Sequence, residues 1–194
     1  MIPETSTHTI GLILSNAKNS FTTALMNLFE EKLSQRDYQL LIGLTNHSIE
    51  KERFYLETFG KTTDGIFILS DSKDYKELAD AVPASVPTIF LHRAPSDCQQ
   101  TAILENDYSA TFQAILSMIH SGHPKVALIC RNIQFSTNRE IIRAYQTAMD
   151  TMPEGFREDW IFECTDTEGD YLENLIEKVV QKGCTGFLAS SVEV

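Results

Sequence analysis

Residues 8–19 read His-Thr-Ile-Gly-Leu-Ile-Leu-Ser-Asn-Ala-Lys-Asn, and this stretch decides the fold. Its run Ile10-Gly11-Leu12-Ile13-Leu14 has no polar interruption, as a strand covered on both faces of a parallel sheet requires. Polar residues Ser15 and Asn16 end it, and apolar residues then fall at 21, 24, 25, 28, 29 and 33. That spacing lines one face of a helix. A strand followed at once by an amphipathic helix is a βα unit, and open α/β sheets place their ligands at the strands' carboxyl ends.

The unit repeats along the chain. Strand 38–44 precedes helix 48–59, for which Ser48 is a natural N-cap, Glu50 and Glu52 suit the positive end, and Gly60 suits a left-handed exit. Strand 65–69 leads to a short helix, 74–81, that stops before Pro83. Strand 87–91 delivers His92-Arg93 to its carboxyl end, and an irregular stretch, 94–101, runs into a short strand around 101–104. The pattern restarts at Glu105-Asn106-Asp107, which opens helix 107–121; Gly122 ends it and His123-Pro124 blocks its continuation. Strand 125–130 follows. Thr137 and Glu140 stand in capping-box register for helix 138–150, with Ile141, Tyr145, Ala148 and Met149 facing inward. Strand 159–164, helix 168–182 and strand 185–190 complete the alternation. Strict alternation with short connections means βαβ units and doubly wound parallel sheets. Two runs of it predict two lobes, residues 9–104 and 105–194, with a ligand cleft between them.

Composition narrows the function. The 42% apolar content is that of a folded protein, and a formal net charge of −11 repels a phosphate backbone, so this stretch by itself is a poor nucleic-acid binder. The acidity suits a neutral or polyol ligand, or solubility alone. No apolar run is long enough for a transmembrane helix, and the first seven residues lack the basic and apolar regions of a signal peptide, so a cytoplasmic protein without membrane contact is expected. Cys98, Cys130, Cys164 and Cys184 are 20 or more residues apart, which fits neither zinc-finger spacing nor a disulfide framework. Buried inert thiols are expected at 130, 164 and 184, and neither metal nor cofactor is implied. The first strand–helix turn, Ser15–Ser20, contains no glycine to expose backbone N–H groups to a dinucleotide or phosphate, and no P-loop or Gly-x-Ser-x-Gly elbow is present.

Five features, in order, resemble the effector-binding core of LacI/GalR-type transcriptional regulators, whose fold is periplasmic-binding-protein-like. They are Ile10–Leu14 followed by Asn19-Ser20-Phe21, where the family has Asn-Pro-Phe-Phe; Tyr38-Gln39-Leu40-Leu41; Asp64-Gly65-Ile66-Phe67-Ile68-Leu69; His92-Arg93, usually Asp-Arg; and Glu105-Asn106 with Gly122-His123-Pro124-Lys125 and an apolar strand. The last is the most specific, its Gly-His lying 16 residues past Asn106. The resemblance implies a ligand-gated regulator working as a homodimer, in which a small sugar-like effector closes two lobes and so moves DNA-reading headpieces. The residues before Ile10 are not expected to form a helix-turn-helix headpiece, and relative to the family the chain is expected to be a fragment or a truncation at its C-terminus.

Phe21 can stack on a ligand's apolar face or simply begin the helix's inward stripe. Ser15, Asn16 and Asn19 can hydrogen-bond hydroxyls, although Asn19 or Ser20 also caps the helix. Arg93 is the strongest candidate, because a guanidinium at a strand's carboxyl end pairs with vicinal hydroxyls, a carboxylate or a phosphate. Asn106 and Asp107 combine hinge or pocket roles with capping, and His123 is expected to be structural. Three departures from the family alter the pocket: Ile141 stands where its pocket Arg is expected, leaving Arg139 or Arg143 to substitute; Ser190-Ser191-Val192 replaces Ser-Asn-Asp, leaving Ser191 and Glu193 as candidates; and Ser20 replaces the Pro. These changes point away from a typical hexose or pentose. The leading expectation is a sensor and not an enzyme; the alternative is the solute-binding protein of a sugar transporter.

Overall fold

The structure is a computed structural model that describes residues 6–131, 133–165 and 169–190. It divides into two compact units, up to Leu104 and from Glu105 onward.

The first unit carries β1 (Thr9–Leu14), α1 (Ser20–Ser34), β2 (Gln39–Leu44), α2 (Ile49–Phe59), β3 (Gly65–Ile68), β4 (Thr88–His92) and β5 (Thr101–Leu104). The strands form one sheet in the order β2-β1-β3-β4-β5, every pair parallel. Strand period two sorts the side chains onto two faces. Leu12, Leu14 and Leu91 pack with Leu25, Met26 and Phe29 of α1. Ile13, Ile66, Ile68 and Phe90 pack with Leu56 and Phe59 of α2. A helix on each face explains why β1 has no polar alternation, since both of its faces are removed from water.

The second unit contains α3 (Asp107–His120), β6 (Val126–Cys130), α4 (Ser136–Met149), β7 (Ile161–Glu163), α5 (Gly169–Gln181) and β8 (Gly186–Ala189). Its parallel sheet has the order β7-β6-β8, which puts β6 in the centre. All five β6 residues are buried, in one cluster with Ile115, Ile141, Tyr145, Met149, Trp160 and Val179. The Tyr145 hydroxyl donates to the Val126 carbonyl at 2.7 Å, so its polar end is satisfied inside an apolar core. The inward face expected for α4 is present at all four positions, Ile141, Tyr145, Ala148 and Met149. Cys130, Cys164 and Cys184 are buried, and burial pushes the Cys130 thiol up to about 11.

Four local expectations are corrected. The stretch 74–81 forms only a single 3-10 turn, Tyr75–Glu77, with Asp74 as its cap. Helix α4 begins at Ser136, with Phe135 at the N-cap and no side-chain cap bond, so the Thr137–Glu140 capping box is not its start. Asn138, buried, donates instead to the Arg131 carbonyl and ties the first turn back to the end of β6. Residues Glu158–Trp160 form a 3-10 turn before β7, which shortens the strand expected at 159–164. Gly60 leaves α2 in the right-handed region (φ −57°), and a Cβ there would sit 2.6 Å from Cβ of Pro83. Close approach, not a left-handed turn, is what requires glycine there. Among the described residues no helix is long and apolar enough to cross a membrane.

Candidate functional site

The ends of β1, β2, β3 and β4 converge on one connected polar group at the carboxyl edge of the first sheet. It is founded on Glu52, whose side chain is wholly buried because it shares the inward face of α2 with Leu56 and Phe59. Glu52 accepts hydrogen bonds from the Ser70 hydroxyl and the Asp71 N–H, both at 2.6 Å. Burial drives its carboxyl up to about 7, a rise that these two bonds oppose, the Asp71 charge adds to and the Arg93 charge opposes. The bonds also fix the backbone just beyond β3 and so aim the Asp71 side chain.

Asp71 is the hub. One carboxylate oxygen accepts from Nη2 of Arg93 at 2.6 Å, and the other faces Nδ1 of His47 at 3.1 Å. Nε of Arg93 donates to the Ser70 carbonyl at 2.6 Å. The other ring nitrogen of His47 lies 3.3 Å from Nδ2 of Asn16, which extends the chain of contacts to the end of β1. The Asp71 side chain is 8% exposed and that of Arg93 17%, so the ion pair is largely shielded, whereas His47 is 64% exposed. Asn46 (φ 51°), His47 (φ 63°) and His92 (φ 65°) are non-glycine residues in the left-handed region, all at this edge. Such backbone is uncommon outside glycine and persists only where surrounding contacts impose it.

The anticipated contacts fall in three places. Ser15, Asn19, Phe21 and Arg93 all belong to the first unit. Ser15 is buried directly after β1, and its carbonyl accepts the Asn46 N–H at 2.7 Å. Asn19 caps α1 by accepting the Thr22 N–H at 2.7 Å. Phe21, 43% exposed, holds its ring 5.4 Å from that of His92, next to Arg93 in sequence. Asn106 and Arg139 belong to the second unit: Asn106 caps α3 by accepting the Ser109 N–H at 3.1 Å, and Arg139 donates to the Gln134 carbonyl at 3.1 Å. Arg143 lies over the Tyr108 ring at 4.4 Å and pairs with Glu140 at 2.6 Å. Ile141 is buried and can offer no polar contact. Ser191 and Glu193 lie outside the described residues. His123 closes the turn after α3 through its backbone, its N–H donating to the Met118 carbonyl at 3.0 Å.

Sequence reasoning missed Glu52, Ser70, Asp71 and His47. A signal for Glu52 was present, since positions 52, 56 and 59 share one helix face and a lone acid in an apolar stripe marks a buried polar contact. Asp71 and His47 carry no such mark, because their partners are 22 and 24 positions distant. Among the described residues no group of three or more His, Cys, Asp or Glu side chains is placed to hold a metal ion.

Comparison with known proteins follows the same outline. The chain is 27% identical over 161 residues to the transcriptional repressor PurR of Vibrio campbellii, covering 81% of this chain and 48% of that protein. It is 26% identical over 169 residues to the ribose operon repressor of Haemophilus influenzae, covering 86% and 50% respectively. The chain thus spans about half the length of these curated relatives. The crystal structure of the transcription regulator CcpA of Lactococcus lactis shares its fold, with a TM-score of 0.82 at 24% identity over 95% of this chain and 68% of that one. Residues 7–186 match the family of periplasmic binding proteins and sugar-binding domains of LacI-type regulators, and the chain belongs to that family, spanning its effector-binding region.

Proposed function

We propose that this chain is the sensing part of a LacI-type transcriptional regulator and takes a small polyhydroxylated molecule at the carboxyl edge of the first sheet. One observation carries the reading: side chains from the ends of four strands, Asn16, His47, Asp71 and Arg93, form a single hydrogen-bonded group at the edge where open α/β sheets bind ligands. Arg93 and Asp71 supply fixed donors and acceptors, Asn16 and Asn19 add further polar groups beside them, and the Phe21–His92 ring pair offers an apolar face. A relative named for a ribose operon supports the ligand class, and relatives that are repressors support an output in transcription instead of turnover. DNA would be reached through a headpiece elsewhere in the whole protein, acting as a cytoplasmic homodimer.

The test is a thermal-shift panel of sugars, sugar phosphates and nucleosides. A true ligand at about a hundred times its Kd stabilises by about 2.7 kcal/mol. For a chain of this size that raises the midpoint by roughly 5–10 °C. Arg93→Ala removes the shift while the variant still melts cooperatively. A flat panel from a cooperatively melting wild type refutes the reading.

A further inference from the structure

Resting on the effector-binding reading of the same edge, the geometry points to Asp71 as a charge filter: it tethers Arg93 so that the site selects uncharged polyhydroxylated ligands and rejects their phosphorylated or carboxylated counterparts. An arginine at a strand's carboxyl end would by itself invite an anion. Here its charge is met inside the protein, by Asp71 at 2.6 Å, and its Nε is committed to the Ser70 carbonyl. Asp71 in turn is not free to swing aside. Its N–H is anchored by the buried Glu52, and its second oxygen faces His47.

The charge balance decides the chemistry. Asp71 and Glu52 stand against Arg93, so these three groups together are neutral when Glu52 is protonated and carry −1 when it is ionised; His47, 3.1 Å from Asp71 and 64% exposed, stands at the solvent side of the group, where water screens it. A phosphoryl group arriving here must either displace Asp71, leaving a shielded carboxylate unpaired, or add negative charge beside it. Both cost more than the exposed alternative in water, because breaking a shielded pair leaves an uncompensated charge. Lys18, the cation of the β1–α1 connection, is exposed and therefore solvent-screened. Hydroxyls carry no such penalty: each donates and accepts, so it can share the outer lone pairs of Asp71 without breaking the pair.

The experiment compares wild type, Asp71→Asn and Asp71→Glu by titration calorimetry with ribose and ribose 5-phosphate, adenosine and its 5′-monophosphate, and inorganic phosphate. Wild type is expected not to bind inorganic phosphate, and to bind any accepted neutral compound more tightly than its phosphate monoester. Asp71→Asn releases Arg93 and gains at least about tenfold in affinity for phosphate or a monoester, equivalent to about 1.4 kcal/mol. Asp71→Glu retains the wild-type preference. The filter is overturned if wild type prefers a phosphorylated compound, or if a cooperatively folded Asp71→Asn binds phosphate no better than wild type. If that variant does not fold, the wild-type preference between neutral and phosphorylated partners decides alone, and wild-type silence toward every compound overturns both the filter and the effector reading. Phosphate binding gained by a folded Asp71→Asn while wild type ignores every neutral compound supports the filter and refutes the effector reading.

Discussion

The two units use the same strand–helix alternation and spend their interiors differently. Ten polar or charged side chains are buried among the described residues, and eight of them, Ser15, Thr22, Thr45, Glu52, Thr63, Ser70, Ser72 and Thr88, are in the first unit. The second has Thr111 and Asn138. Its central strand is buried at every position and its interior is filled by Trp160, Tyr145 and Leu128. Even a pocket of about 380 Å³ there is lined mainly by apolar side chains such as Met118, Val179 and Phe187, at the amino end of β8. A buried polar group is costly unless paired, and Glu52, Ser70 and Ser72 each fix a partner and a direction, whereas the buried Thr45 hydroxyl has no hydrogen-bond partner among the described residues. The first unit uses that requirement to aim a working edge, whereas the second is held by area and shape.

That contrast breaks most visibly at Trp160. Trp160→Ala empties the largest fully buried side chain of the second unit and is expected to cost about 3–5 kcal/mol, read from urea unfolding by circular dichroism. Hydrogen exchange then shows lost protection in β6 while β1 and β3 keep theirs; equal loss in both units defeats the idea that the two interiors are separately held.

Glu52 gives the next effect, through pH. Its folded carboxyl titrates at about 7 against 4.5 as the ordinary value, so between the two the native chain holds a proton that the unfolded chain has released. The stabilisation is complete below about pH 4.5 and is lost as pH rises through about 7, with a limiting slope of about 1.4 kcal/mol per unit. Wild type is therefore expected to lose about 2.4 kcal/mol relative to Glu52→Gln between pH 5 and 7.5. Parallel pH profiles of the two proteins would show that Glu52 is not held as described.

The smallest effects lie at helix starts. Asn19→Ala removes the acceptor of the Thr22 N–H and hydroxyl and should cost about 1 kcal/mol. Thr137→Ala, inside a helix that begins at Ser136, should change stability by less than about 0.5 kcal/mol. Comparable losses at both sites would restore the capping box that the structure replaces.

Legibility in the sequence follows range. The caps at Asn19, Ser48 and Asn106, the unbroken β1 and the inward stripe of α4 depend on neighbours within about one helical turn or on simple periodicity, so local spacing reveals them. The start of α4 was misread because an Asn138 bond to Arg131 competes with a perfectly formed local signal. At the candidate site Arg93 and Phe21 were legible as types at a strand end and a helix start. Their settings were not.

By itself the sequence determined the βα alternation, the parallel sheets it demands and the edge at which polar residues gather, because periodicity and turn chemistry act between near neighbours. Only the tertiary structure decided that Glu52 grips Ser70 and Asp71 beyond β3, that Asp71 holds Arg93 and that His47 joins them. Those facts depend on which strand ends lie side by side, as in the β1–β3–β4 run of the first sheet, and adjacency in a sheet joins residues the chain keeps more than twenty positions apart.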